Sequence, residues 1–204
     1  MNEVTVEALT EDQWSAYRSI RLEALQESPG AFTSSFAEES DHDEPRWRAC
    51  MLRAQRLLAV RDGRPTGVVS VGPSRSKDLS ADLFGLWVKP TSRNTGVAWR
   101  LVEAAGEHAL ANGWTHLDYW VGTQNGRAIG FATNFGFRVT SQRRSARVPS
   151  EEFGDQELAL TLPLTGDPGV PNPMGPRFAA RSGPAGEAHG SRAEAGSSRS
   201  TEHQ

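Results

Sequence analysis

The sequence predicts an α/β sandwich around one mixed sheet, followed by a disordered tail. Segments with strand and helix character alternate through the first 163 residues. The run from Ala81 to Val88 is apolar on both faces beyond Asp82, as expected of a central strand covered on both sides. After Pro163 the composition changes: Leu164 to Gln204 holds five prolines, seven glycines and four large apolar residues, Leu164, Val170, Met174 and Phe178. Such a segment buries too little apolar surface to offset its conformational entropy. The reading is therefore one domain over 1–163 and a Gly/Pro/Ser-rich tail over 164–204.

The elements follow in order. Val4 to Ala8 is a first strand. Thr10, followed by Glu11, Asp12 and Gln13, has the pattern of a helix N-cap. Trp14, Tyr17, Arg21, Ala24 and Leu25 then recur at helical spacing until Ser28-Pro29-Gly30. A second helix starts near Asp43-Glu44-Pro45, with Pro45 suited to its first turn. Leu57 to Val60 and Gly67 to Val71 are strands joined by the turn signal Asp62-Gly63-Arg64-Pro65. After the central strand, Val97, Leu101, Val102, Ala105 and Ala109 mark a helix that ends at Asn112-Gly113. Thr115 to Val121 is a strand, and Ala128, Phe131, Ala132 and Phe135 form the stripe of a helix stopped at Gly136. Two late strands, around Phe137 to Thr140 and Glu157 to Leu162, flank an irregular loop.

Charge narrows the function. Of 22 basic and 25 acidic residues, the tail takes four of each, so residues 1–163 carry the formal −3. That mild acidity exerts no pull toward nucleic acid or membrane. Cys50 is the only cysteine, which excludes an intramolecular disulfide and a cysteine metal cluster. Five scattered histidines without ligand spacing predict no metal. The start lacks a basic region and apolar core of a secretion signal, and no apolar run spans a bilayer, so the cytoplasm is the expected compartment.

The turn Arg93-Asn94-Thr95-Gly96-Val97-Ala98 lies between the central strand and the helix after it. Free N–H groups at a helix start, with roughly +0.5 charge from the aligned peptides, make a seat for an anionic pyrophosphate. Gly96 permits close approach, Ala98 keeps the entrance open and Arg93 adds a cation. An ordinary surface turn before a helix is the other reading. No Gly-x-x-x-x-Gly-Lys-Ser/Thr run or three-glycine dinucleotide fingerprint exists, so nothing points to ATP or NAD.

The segment Arg-x-x-Gly-x-Ala after a strand ending Leu86-Trp87-Val88-Lys89-Pro90 resembles the signature of the GNAT superfamily of acyl-CoA-dependent N-acyltransferases. Asn125 to Phe137 resembles that family's later Asn-x-x-Ala helix ending in Gly-Phe, and Tyr17 to Leu25 resembles its first helix. The resemblance runs from about Val4 to Pro163. It implies a mixed, mostly antiparallel central sheet with helices on both faces, and acetyl-CoA as co-substrate without a metal. It implies that the main chain of Leu86, Trp87 and Val88, freed by a distortion at Gly85, pairs with the pantetheine arm. Arg93, Asn94, Thr95, Gly96, Val97 and Ala98 would then hold the pyrophosphate, and Asn125 would touch the pantetheine or cap its helix. The expected acceptor is a primary amine, of a small molecule before a peptide N-terminus or lysine; homodimerisation stays open.

The chemistry needs a base, because freeing an alkyl ammonium of pKa ~10.4 at pH 7 costs about 4.6 kcal/mol. Asp82 is the candidate catalytic residue: it is the only ionisable group inside the central strand and precedes Arg93 by eleven positions, where some family members carry a glutamate. A strand-end aspartate that caps a turn or pairs with an arginine is the other reading. Glu38 and Glu39 are lesser candidates. The family's acid is missing, since Ala132 falls where many members have a tyrosine; Tyr119 on the preceding strand is the nearest substitute. That loss keeps open a catalytically silent acyl-CoA-binding regulatory domain. Glu38, Glu39, Asp41, Asp43 and Glu44 would either draw a cationic amine to the groove or form a solvated linker and helix start. Arg143, Arg144 and Arg147 read as surface charge before a grip for a substrate anion. Removing residues 166–204 should leave Tm nearly unchanged; a drop of several degrees in a thermal melt would show that the tail packs.

Overall fold

In the computed structural model, residues 3–75, 77–150 and 152–164 are described, with the side chains of 148–150 excepted. A seven-stranded sheet carries the chain: β1 (Thr5–Leu9), β2 (Gln55–Arg61), β3 (Arg64–Pro73), β4 (Ser80–Val88), β5 (His116–Gly122), β6 (Arg138–Ser150) and β7 (Gly154–Pro163). Their spatial order is β1-β2-β3-β4-β5-β7-β6. Every neighbouring pair is antiparallel except β4 with β5. The β2–β3 turn has Asp62 and Gly63 at φ +53° and +71°, the left-handed pair that a tight hairpin needs.

Helices cover both faces. α1 (Trp14–Glu27), α2 (Phe36–Ser40) and α3 (Glu44–Leu52) lie before β2, α4 (Val97–Ala111) links β4 to β5, and α5 (Gly126–Phe135) follows β5. Alternation along the strands sorts the core in two. Leu57, Val69, Leu83, Leu117 and Leu160 pack against Val97, Leu101, Ala105 and Phe135 of α4 and α5. Leu58, Val68 and Trp87 pack against Tyr17, Ile20, Leu25 and Trp47 of α1 and α3. Each such large side chain, fully buried, contributes about 1.5–3 kcal/mol. No helix among the described residues is long and apolar enough to cross a membrane.

Several sequence expectations are refined. The first helix opens with a short 3-10 turn, Glu11–Gln13, in which Gln13 Oε1 accepts from the Thr10 N–H at 2.8 Å. The acidic segment forms the extra helix α2, and Asp43 caps α3 by accepting the Arg46 N–H at 3.0 Å. The largest correction concerns the irregular loop expected between the last strands. β6 and β7 are a long antiparallel hairpin, paired from Arg138↔Thr161 to Ser150↔Gly154 with two register shifts. Its outer half lacks apolar alternation because Gln142, Arg143, Ser145 and Arg147 are exposed, so the backbone ladder leaves little periodic trace.

The tail expected over 164–204 lies outside the described residues from 165 onward. Leu164 itself belongs to the domain: it is 2% exposed, and its N–H donates to the Thr115 carbonyl at 2.9 Å. Leu164→Ala should therefore destabilise the domain by about 2–5 kcal/mol, measured by urea unfolding; a change below 1 kcal/mol would contradict its place in the core.

Candidate functional site

The site begins with a defect in β4. Val68 pairs with Trp87 and Ser70 with Phe84, so Gly85 and Leu86 together oppose the single residue Val69. Gly85 sits at φ +64°, a conformation that L side chains adopt at a cost. The parallel pairing of β4 with β5 ends at Leu83↔Tyr119, although β4 continues to Val88 and β5 to Gly122. Beyond that point the two strands part, leaving main-chain N–H and C=O groups without a strand partner between them.

A cleft of about 1100 Å³ runs through the opening. Its wall includes Leu86, Trp87, Val88, Arg93, Asn94, Gly96, Ala98 and Asn125, eight of the residues expected from the sequence to hold the cofactor. Thr95 and Val97 do not line it. The Thr95 hydroxyl donates to the Ser92 carbonyl at 2.7 Å, and Val97 is 1% exposed in the core. Asn94 and Gly96 both take left-handed backbone, φ +62° and +86°, immediately before the first turn of α4. Such alternation directs successive N–H groups toward one point and suits an anion. A Cβ added at Gly96 would meet nothing within 4 Å, so the space over the turn is open. These features fit the pyrophosphate of an acyl-CoA.

Arg93 is less free than its sequence position implies. Its Nε donates to the Val88 carbonyl at 2.9 Å and its Nη2 to Glu27 at 2.6 Å, which ties the turn to the end of α1. The Trp87 indole N–H donates to the same carboxylate at 3.0 Å. Arg127, in the first turn of α5, adds a second cation to the wall. Sequence reasoning passed over it because a lone arginine beside Asn125 carries no pattern of its own. The Asn125 side chain accepts the Ala128 N–H at 3.0 Å and caps α5 while it faces the cleft.

The other half of the cleft lies over the α1–α3 face, between the segment after α1 and the β6–β7 hairpin. Asp82 faces it, half-buried, with one carboxylate oxygen buried and without a hydrogen-bond partner. Burial and the neighbouring Asp118 push its pKa up, against a hydrogen bond from Ser74 and the attraction of Arg144 and Arg147. Asp118 stands beside it in register, 2% exposed and ion-paired to Lys77 at 2.8 Å. At the cleft mouth a Cβ on Gly30 would stand 3.6 Å from the Phe153 ring, so the hairpin tip closes over the loop after α1.

The sequence of the Acetyltransferase (GNAT) family matches residues 7–137. The chain belongs to that family. Solved structures agree on the fold. A GNAT-family acetyltransferase from Streptococcus pneumoniae superposes with TM-score 0.65 at 19% identity, covering 79% of this chain and 99% of its own. YncA, a putative acetyltransferase from Salmonella typhimurium solved with acetyl-CoA, gives 0.64 at 20%, covering 84% and 99%. The ribosomal-protein-S18-alanine N-acetyltransferase of Escherichia coli gives 0.58 at 20%, covering 81% and 98%. No curated protein matches.

Within this GNAT domain none of Glu38, Glu39, Asp41, Asp43 and Glu44 lines the cleft, which fits the linker and helix-start reading rather than an attractor for a cationic amine. Glu38 takes the Ser35 N–H at 2.8 Å in a capping box, Glu39 is locked to Arg21 at 2.7 Å, and Glu44 pairs with Arg48 at 2.8 Å. These acids build α2, α3 and their anchors, which also leaves Glu38 and Glu39 away from any base role. Arg144 and Arg147, read first as surface charge, line the cleft. Arg144 stacks on Trp120 at 4.1 Å and pairs with Glu157 at 2.6 Å. Ala132 has zero exposure inside the core, while Tyr119 lines the cleft where β4 and β5 part. The Tyr119 phenol makes no hydrogen bond among the described residues, and burial pushes its pKa up to about 12.

Hydrogen bonds from Ser28, Trp87 and Arg93 hold the Glu27 carboxyl below the usual glutamate pKa. A depressed carboxyl stabilises the fold fully above its unfolded value of about 4.3, and the contribution is lost as pH falls through the lower folded value. Glu27→Gln should thus lower Tm at pH 7, with the gap to wild type closing toward pH 3. A gap that stays constant over that range in thermal melts would refute the linkage.

Proposed function

We propose that the domain transfers an acetyl group from acetyl-CoA to the primary amine of a small molecule, by direct attack in a ternary complex. The observation that carries this reading is the parting of β4 from β5 beneath the Asn94–Gly96 turn. It supplies an anion seat, a strip of unpaired main chain and a passage to the opposite half of the cleft. Bound acetyl-CoA supplies the activated acyl group. The freed main chain of Leu86 to Val88 pairs with its pantetheine, the Asn94–Ala98 segment receives the pyrophosphate, and Arg127 adds charge from α5.

On the far side Asp82 accepts the proton of the incoming ammonium, through water because its side chain is short. Its pKa, raised chiefly by burial, makes it a stronger base than an exposed aspartate. As nitrogen bonds to the carbonyl carbon it gives up its second proton to water, and as the carbon–sulfur bond breaks Tyr119 gives its phenolic proton to the departing thiolate. Its apolar setting keeps it protonated until then, and water restores the proton. Ala132 favours one competing reading, a silent domain that binds acyl-CoA without turnover.

Thiol release from acetyl-CoA across a panel of amines separates the two. Asp82→Asn should lower kcat by about 10²–10⁴-fold and abolish the acid limb of kcat/KM, which in wild type falls as pH drops through the raised Asp82 pKa. Unchanged turnover would remove Asp82 from the base role. Tyr119→Phe should cost about 10²-fold in kcat with little effect on KM; an unaltered kcat would leave water as the acid. Gly96→Glu places an anion over the turn and should weaken coenzyme A binding at least tenfold in calorimetric titration. Equal affinity would place the pyrophosphate elsewhere.

A further inference from the structure

The acceptor half of the cleft is lined by arginines that the transfer chemistry does not use. Arg53, Arg56, Arg75 and Arg147 face it, against Asp82 and Glu152 once the Arg144–Glu157 pair is set aside. This is the reverse of what a groove for a plain cationic amine requires. Arg56 is the unusual member. It is 6% exposed, on β2, and no carboxylate pairs with it among the described residues. Buried charges are ordinarily paired, because an unpaired one keeps its desolvation cost.

The guanidinium offers five N–H donors, and only two find acceptors: the Ser70 hydroxyl at 2.5 Å and the Cys50 carbonyl at 2.7 Å. Its Nε is buried without a partner. The Tyr17 and Phe84 rings lie 4.8 and 5.5 Å from the guanidinium carbon and orient it. Arg56 pairs with Ser70, which pairs with Phe84, and Asp82 lies two residues before Phe84. That register sets the Arg56 and Asp82 Cα atoms about 12 Å apart, with both residues lining one cleft. The Arg56 side chain reaches over Ser70 and so spans part of the gap. What remains suits a small molecule with an amine at one end and an anion at the other.

We infer that the acceptor is a free amino acid or close analogue, its carboxylate held by Arg56 while its amine faces Asp82. A fixed guanidinium fork suits a planar carboxylate and supplies the countercharge that the site lacks. Arg147, on the hairpin, contributes long-range attraction from the opposite wall. The inference deepens the acetyltransfer reading and rests on it for the position of the amine.

Wild-type protein decides it first. A set of amino acids is compared with their carboxamides, their decarboxylated amines and an alanyl peptide, with acetyl-CoA present. The acids should exceed the carboxamides by about 10²-fold in kcat/KM, carried mainly by KM. Arg56→Gln should erase that preference, with the melting curve checking that the variant folds; Arg147→Ala should reduce it only a few-fold. Carboxamides or the peptide accepted as well as the acids would overturn the inference while leaving acetyltransfer intact. If no amine turns over, titration of the same amino acids into coenzyme A-loaded protein decides. Binding lost in Arg56→Gln would keep the carboxylate site and sink the enzyme reading, and no binding would sink both.

Discussion

The arrangement of this domain depends on the bulge at Gly85. A regular β4 would continue its ladder with β5 past Leu83↔Tyr119, and every main-chain group between the strands would be satisfied internally. The positive φ at Gly85 lets two residues oppose one on β3, which turns the rest of β4 aside while its pairing to β3 resumes at Trp87. One strand is thus held on one edge and released on the other. Unpaired N–H and C=O groups in a cleft are costly without a partner, so such an opening favours a ligand that has amides of its own. The same turn of chain brings Arg93 and α4 to the mouth of the opening.

The cleft connects two electrostatic environments through the sheet. On the α4–α5 side the positive features are backbone N–H groups and Arg127, with the charge of Arg93 offset by Glu27. On the α1–α3 side the cations are side chains, and four acids of the run before and into α3, Glu38, Glu39, Asp43 and Glu44, have been drawn into caps and ion pairs. The mild negative charge of the folded part is therefore a poor guide to the local field. An overall count averages over a surface, whereas a cleft is sensitive to the few groups whose partners are missing.

The two groups proposed to carry protons stand on neighbouring strands and opposite faces of the sheet. Asp82 looks into the arginine-lined half, and Tyr119 packs with Phe137 and the α4–α5 core. Parallel pairing places them one residue apart in register, at the end of the shared ladder. Burial acts on both and in the same direction, raising the affinity of each for a proton. For a carboxylate that strengthens a base; for a phenol it preserves an acid.

The sequence by itself determined the order of elements, the central strand, the turn before α4 and the family. Those features are local: periodicity, glycine placement, a cap or a six-residue motif is written in consecutive residues. It located the hairpin of β2 and β3 through Asp62-Gly63, yet missed the one of β6 and β7, whose exposed arms carry polar side chains on both faces. Tertiary structure decided which charges remain available. Glu38 and Arg147 look equally exposed in the chain, but only packing assigns one to a cap and the other to the cleft wall. Arg56 gave no signal at all, because its burial, its two aromatic neighbours and the lack of a counter-ion among the described residues arise from strands β2, β3 and β4 meeting residues of α1 and α3. Pairing and desolvation belong to three-dimensional neighbourhoods, and no spacing along the chain encodes them.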